Sequence, residues 1–278
     1  MDIIKETAEK IREADALLIG ASNGLSITEG LHLFADNQAF EDLFGDLKRK
    51  YGLTCILHGM GAKWPSEEEK WGFWSRLVRR YCKEYRETQV MADLKTVIGE
   101  KDCFVVTSNG ECHFEICGFS PEKIYEVEGN WLTMQCASRC HDSVYPWGDL
   151  AEKMAEMERE GKIPADLVPR CPVCGGSMQV HMAMDGNFIP DTESRKRLDC
   201  FLEQYHEKKL LILELGIGWR NQLIKAPLMR LAAREPHAFY VTINLGEIFI
   251  PREISGKSCG LDGDLGEILH RLASNCVN

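Results

Sequence analysis

Four cysteines stand in two close pairs, Cys136-Ala137-Ser138-Arg139-Cys140 and Cys171-Pro172-Val173-Cys174-Gly175-Gly176, separated by a long stretch of chain. Zinc accepts four thiolates in a tetrahedron, and a close pair lets the backbone turn round the metal, so this spacing predicts a zinc site. A closed shell of four sulfurs leaves no open coordination position; the metal is expected to hold a module together rather than to act on substrate. The wider first pair leaves His141 as an alternative ligand to Cys140. A second chemical signature lies near the start of the chain. Gly20-Ala21-Ser22-Asn23-Gly24, within "LLIGASNGLS", fits the G-x-S-x-G elbow that presents a nucleophilic serine and, in part, the glycine-rich loop that cradles a dinucleotide.

The surrounding elements separate these two readings. A charged helical stretch with Ile3, Ile4, Ala8 and Ile11 leads into the apolar run Ala16-Leu17-Leu18-Ile19, which Gly20 ends. Similar runs recur at Cys103–Thr107, Ile124–Val127, Leu210–Leu215 and Phe239–Ile243. Strands alternating with helices predict a doubly wound, Rossmann-type α/β sheet. A nucleophile elbow needs an earlier strand-to-helix loop for its oxyanion hole, whereas here the motif closes the first strand. The glycine loop is therefore read as a phosphate site, where small residues let backbone N–H groups approach a pyrophosphate, with a plain structural turn as the alternative.

Two insertions interrupt the strand pattern. The first is mostly helical, with Trp71, Phe73, Trp74, Leu77, Val78 and Tyr81 at the spacing of an apolar core stripe. The second carries the cysteine pairs. Arg76, Arg79, Arg80 and Lys83 are read as a solvated helix face, and the glycine-rich stretch 256–266 as a loop before a last short helix. A net charge of −10 argues against a general nucleic-acid surface, since counterion release needs clustered cations. With 44% apolar and 27% charged residues the 278-residue chain has the composition of a globular protein. The charged start and the absence of a long apolar run predict a soluble, cytoplasmic protein with no membrane partner, in which the twelve cysteines are metal ligands or free thiols.

The segments Gly20–Ser26, Thr107-Ser108-Asn109-Gly110-Glu111, Glu126-Val127-Glu128-Gly129-Asn130, the two cysteine pairs and Val241-Thr242-Ile243-Asn244 occur in the order and spacing of the sirtuins. The chain resembles that family over most of its length. Gly24-Leu25-Ser26 and Glu214-Leu215-Gly216-Ile217-Gly218 are most similar to the class M sirtuins, which are linked to macrodomains and to protein ADP-ribosylation. The resemblance implies one domain over 1–278: a Rossmann core at about 1–30, 101–130 and 185–278, a helical insertion at about 31–100 and a zinc module at about 131–184.

It also implies roles. Gly20, Ala21, Ser22, Gly24, Leu25 and Ser26 fall where the family binds the NAD phosphates and adjoining ribose, with Ser22 at a usual glycine position. Asn109 falls beside the nicotinamide ribose, Glu111 where the carboxamide is held, Gly216 and Gly218 in the segment that replaces a usual Gly-Thr-Ser, and Ile243 and Asn244 near the adenosine. Cys136, Cys140, Cys171 and Cys174 match the zinc ligands. Two positions depart from the family. Glu128, eight residues before Cys136, stands where deacylases have a histidine base and class M members a glutamine; Ala183 stands where class M members have an arginine. Cleavage of the nicotinamide bond makes ribose C1′ electron-deficient, and a carboxylate at Glu128 can stabilise that charge or bind a ribose hydroxyl. His113 and His141 lie close to these motifs and are read as loop or supporting histidines.

The resulting expectation is an enzyme that cleaves NAD and transfers ADP-ribose to a protein acceptor, using Asn109, Glu111 and Glu128. A lipoyl-carrier protein as acceptor and a macrodomain hydrolase as partner are the candidates that the resemblance implies. The alternatives are NAD-dependent lysine deacylation, NAD hydrolysis, and non-catalytic sensing of NAD or ADP-ribose.

Overall fold

Asp2 starts the first helix, α1 (Ile3–Glu13), by accepting the Ile4 N–H; Ile4, Ala8 and Ile11 form its buried stripe. The computed structural model describes residues 2–276. Strand β1 (Ala16–Ala21) is buried at every position, as a central strand covered on both faces must be. There follow α2 (Asn23–Thr28), α3 (Gln38–Tyr51), α4 (Ile56–Met60), α5 (Glu67–Val78) and α6 (Gln89–Ile98). Asn37, Ser66 and Thr88 cap α3, α5 and α6 through their side chains, and α5 runs into one π turn at Arg79–Lys83.

The middle of the chain forms β2 (Asp102–Thr107), α7 (His113–Ile116), β3 (Ile124–Glu126), β4 (Gly129–Cys136), β5 (Val144–Pro146), α8 (Gly148–Met157) and β6 (Met178–Met182). It ends with α9 (Thr192–Gln204), β7 (Leu210–Leu215), α10 (Gln222–Arg234), β8 (Phe239–Asn244), β9 (Ser258–Asp262) and α11 (Leu265–Cys276).

Six strands make one sheet in the order β3-β2-β1-β7-β8-β9, every pair parallel. Numbered within the sheet this is 3-2-1-4-5-6, the doubly wound order, and its direction reverses between β1 and β7. One face packs on α1, α6 and α11 through residues such as Leu17, Leu94, Leu213 and Leu269. The other packs on α9 and α10 through Leu18, Phe104, Phe201, Ile212 and Leu228. The α/β class and the five strands expected from the apolar runs are present. β9 is a correction: it lies in the stretch read as a loop. It pairs with β8 alone, from Tyr240↔Ser258 to Asn244↔Asp262, and most of its side chains are half exposed, so no apolar run marks it.

The aromatic stripe is core, as expected, but its core is shared. Phe40, Phe44, Trp71, Phe73 and Trp74 pack in one cluster with Trp131, Trp147, Met154 and Met178 from the cysteine-bearing segment. That segment is built on a second, antiparallel sheet in the order β5-β4-β6. The last helix of the 31–100 stretch, α6, lies instead against α11 and the main sheet. The basic run is a second correction: it is not simply a solvated face. Arg76 is largely buried and forks onto both Asp46 and Glu158, Arg79 pairs with Glu84, and Lys83 with Asp149 and Glu152. Among the described residues no helix is long and apolar enough to cross a membrane.

Candidate active site at the carboxyl edge of the sheet

Parallel strands bring their carboxyl ends to one edge, where a reversal of strand order opens a crevice. β1 delivers Ser22 there, β2 delivers Ser108 and Asn109, and β7 delivers Gly216. The two loops at the reversal touch. The Gly24 N–H donates to the Gly216 carbonyl at 2.9 Å, and a Cβ on Gly24 would lie 2.5 Å from the Gly216 Cα, so both positions require glycine for this approach. On the far side the Val127 N–H donates to the Thr107 carbonyl just beyond the last β2–β3 pair, Thr107↔Glu126, and Glu128 follows in the turn that leads into β4.

Ser22 is buried, and its hydroxyl accepts from Ser108 Oγ at 3.0 Å and from Asn221 Nδ2 at 2.9 Å. Asn221 Nδ2 also reaches Ser108 Oγ at 2.8 Å. No histidine or carboxylate bonds the Ser22 hydroxyl, so nothing activates it as a nucleophile. The loop's own N–H groups are also engaged: Ser22 donates to the Leu215 carbonyl, Gly24 to Gly216 and Leu25 to Ser22. Gly20 lies inside β1, its missing side chain facing Leu228 of α10. The side chains of Ala21, Leu25 and Ile243 sit in the core below the edge, so these residues can offer a ligand only backbone atoms. The Ile243 carbonyl accepts the Gly216 N–H at 2.9 Å, and Asn244 Nδ2 donates to the Glu247 carbonyl. The Gly218 turn lies against the Glu247 carboxylate, which accepts the Trp219 N–H.

Asn109 carries the clearest sign of an absent partner. It is 6% exposed; its Nδ2 donates to the Ser22 carbonyl at 3.1 Å and its N–H to Thr107 Oγ1 at 3.0 Å, while its Oδ1 is buried with no partner. Such an orphaned acceptor costs about 1–3 kcal/mol unless a ligand or water supplies a donor. Glu111 is also buried and accepts from Ser26 Oγ at 2.5 Å; burial raises its pKa. Glu128 is half-buried, and among the described residues its carboxylate has no hydrogen bond or ion pair. Burial alone pushes its pKa up. The Glu128 carbonyl is pinned by the Ala183 N–H at 2.9 Å, so the two positions that depart from the sirtuin pattern are neighbours.

Several groups at this edge had not been anticipated. Ser108 and Asn221 tie the first loop to β2 and α10. Glu126, two residues before Glu128, takes a 2.6 Å bond from Asn130 Nδ2; burial pushes its pKa up to about 8. It lines a cavity of about 410 Å3 with Asn130, Thr133, His181 and Asp191. Glu214 belongs to the core instead: Lys225, Tyr240 and Thr242 all donate to its carboxylate inside the sheet–α10 layer. Apart from the local Glu126–Asn130 bond, these contacts are made by pairing across the fold, and no local spacing announces them.

The four cysteines converge at the tip of the small sheet. Their sulfurs all lie within 4.8 Å of one another, with Cys136–Cys174 at 3.7 Å and Cys140–Cys171 at 3.6 Å. A tetrahedron with metal–sulfur bonds of about 2.3 Å has edges of about 3.8 Å, so the cluster fits a metal ion such as zinc. His141 lies beside Cys140 rather than replacing it: its Nδ1 is 3.0 Å from the Cys140 sulfur and its Nε2 is 2.7 Å from the Tyr145 hydroxyl.

No protein-family model matches the chain. It is 28% identical to a protein of Staphylococcus aureus (strain Mu50 / ATCC 700699) named protein ADP-ribosyltransferase, over 97% of this chain and 88% of that one. The chain resembles that protein along nearly its whole length. It is also 28% identical to a Fusarium oxysporum f. sp. cubense protein named probable bifunctional ADP-ribose hydrolase/ADP-ribosyltransferase, with 94% of this chain covering 46% of that longer one.

Proposed function

We propose that the chain is an NAD-dependent, sirtuin-like enzyme that cleaves the nicotinamide–ribose bond and transfers ADP-ribose to a protein acceptor. The observation that carries this reading is the orphaned Asn109 Oδ1 at the strand-order reversal, with the unpaired Glu128 in the turn after β3. Near-full-length likeness to a protein named protein ADP-ribosyltransferase supports the transfer. Asn109 Oδ1 accepts from a hydroxyl of the nicotinamide ribose and thereby fixes C1′. Glu111, with Ser26, holds the carboxamide. As the C1′–N bond breaks, its electron pair leaves with nicotinamide, and the Glu128 carboxylate faces the positive charge that develops on the ribose. The acceptor's nucleophilic atom then bonds C1′, and Glu128 takes its proton.

Deacylation is disfavoured by the same geometry. Glu128 replaces the histidine base, and both ring nitrogens of the buried His113 are already bonded, to Glu29 and to the Tyr81 carbonyl. Cys136, Cys140, Cys171 and Cys174 would hold zinc, which cross-links the small sheet and leaves no open position for substrate. Incubation with NAD labelled in the adenosine tests the reading: label bound to protein is expected. Free ADP-ribose alone would indicate hydrolysis, an acylated ADP-ribose formed with an acyl-lysine peptide would indicate deacylation, and no released nicotinamide would contradict the proposal.

A further inference from the structure

Behind Glu111 lies a closed set of polar groups to which the reaction above gives no role. His113 opens α7 and is 3% exposed. Its Nε2 lies 2.8 Å from the Tyr81 backbone carbonyl, which can only accept, so Nε2 carries a proton. Its Nδ1 lies 2.8 Å from Glu29 Oε2. Glu29 Oε1 accepts from the hydroxyls of Tyr85 and Thr88, each at 2.7 Å. Burial would raise the Glu29 pKa, but the bonds from His113, Tyr85 and Thr88 outweigh it and hold the group below its ordinary value, as a carboxylate. Nδ1 therefore donates as well. An imidazole ring with two N–H donors is a cation. The Tyr85 ring stacks on it at 3.6 Å and 10°, which favours the charged form further.

Glu111 Oε1 lies 4.0 Å from the same Nδ1. We propose that His113 is a positioning residue for Glu111: fixed as an imidazolium between Glu29 and the Tyr81 carbonyl, it keeps the buried Glu111 ionised and able to accept from the carboxamide N–H groups of NAD. The role for Glu111 rests on the NAD reading above, whereas the charge of His113 does not. A protonated Glu111 would donate where it needs to accept, so the charge on His113 governs the binding chemistry of a residue two positions earlier. Glu29 comes from the end of α2, Tyr81 from the π turn, and Tyr85 and Thr88 from the link to α6, so three separate segments frame this ring. The titratable groups facing His113 are Glu29, Glu111 and Tyr85, with Cys117 at the Tyr85 hydroxyl.

The test has two arms. Nitrogen-15 histidine spectra of the wild-type chain at about pH 7.5 are expected to show both His113 nitrogens protonated; a neutral tautomer overturns the proposal whatever the enzyme does. In His113→Gln, nicotinamide release at about pH 7 is expected to fall about tenfold or more, with KM for NAD changing less. The acid limb of kcat should move to higher pH, and no further loss should appear when the change is made on Glu111→Gln. A pH-independent loss, or an additive loss on Glu111→Gln, overturns the proposal. If the wild-type chain releases no nicotinamide, the NAD reading fails separately, and the carbon-13 carboxyl signal of Glu111 then decides. It should shift from carboxylate to carboxyl in His113→Gln, and an unmoved signal contradicts the coupling.

Discussion

We propose that Asn109, Glu111 and Glu128 hold the chemistry at the sheet edge, and the groups around them are defined by the partners they have. Ser22 spends its hydroxyl on Ser108 and Asn221, so Ser22→Ala is expected to keep turnover within about tenfold, its cost being two neutral hydrogen bonds of about 1 kcal/mol each. A loss of several orders of magnitude, with NAD affinity intact, would restore Ser22 as a nucleophile. Glu126 gives the clearest pH signature. Its folded pKa of about 8 lies above the ordinary carboxylate value of 4.5, so the folded state retains a proton that the unfolded chain releases. Stability from this group is full below the ordinary value and is lost as pH rises through about 8. Glu126→Gln keeps an acceptor for Asn130 without the charge. It is expected to flatten the fall in Tm between about pH 5 and 8, stabilising the protein by on the order of 1–3 kcal/mol at the upper end. An unchanged pH dependence would show that Glu126 stays ionised.

At the scale of elements, legibility followed periodicity and local spacing. The apolar runs marked β1, β2, β7 and β8 because strands buried along most of their length have no polar face to hide the signal, while β3, an edge strand buried only at Ile124, was marked by its short run Ile124–Val127. β9, a half-exposed edge strand, carried no such signal. The cysteine pairs were legible because a tetrahedral metal site demands such spacing, and their sulfurs do converge into a cluster that could hold a metal ion. Asn109, Glu111 and Glu128 were found through the resemblance, which marks positions but not partners. The Asn109 orphan, the Ser108–Asn221 brace and the Glu29–His113 pair exist only where distant elements meet. The antiparallel sheet β5-β4-β6 ends in the cysteine cluster and also carries Gly129, the residue after Glu128. Zinc removal by a strong chelator, or Cys171→Ser, is therefore expected to lower Tm by several degrees, corresponding to a loss of about 2 kcal/mol or more. Near-ultraviolet dichroism should change too, because Trp131 and Trp147 share that core. A chelated protein with unaltered Tm and dichroism would show that the cluster holds no structural metal.

For the whole molecule, the doubly wound sheet brings the candidate site to its carboxyl edge, and helices α3 and α5 share one aromatic core with the cysteine-bearing segment. Glu29 and the Tyr81 carbonyl hold His113 close to Glu111, and the cysteine-bearing segment pins Glu128 through Ala183. A net charge of −10 gives the chain no general attraction for an anion, so the proposed binding of NAD would rest on local contacts. The central claim is that this edge cleaves NAD and passes ADP-ribose to protein. It is tested most directly by following nicotinamide release and protein-bound label from adenosine-labelled NAD, in wild type, Asn109→Ala and Glu128→Ala side by side. The wild-type chain is expected to release nicotinamide and label protein in step, with both signals falling together by about 100-fold or more in each variant. Full turnover in both variants, or nicotinamide release with no label on protein, would contradict the account.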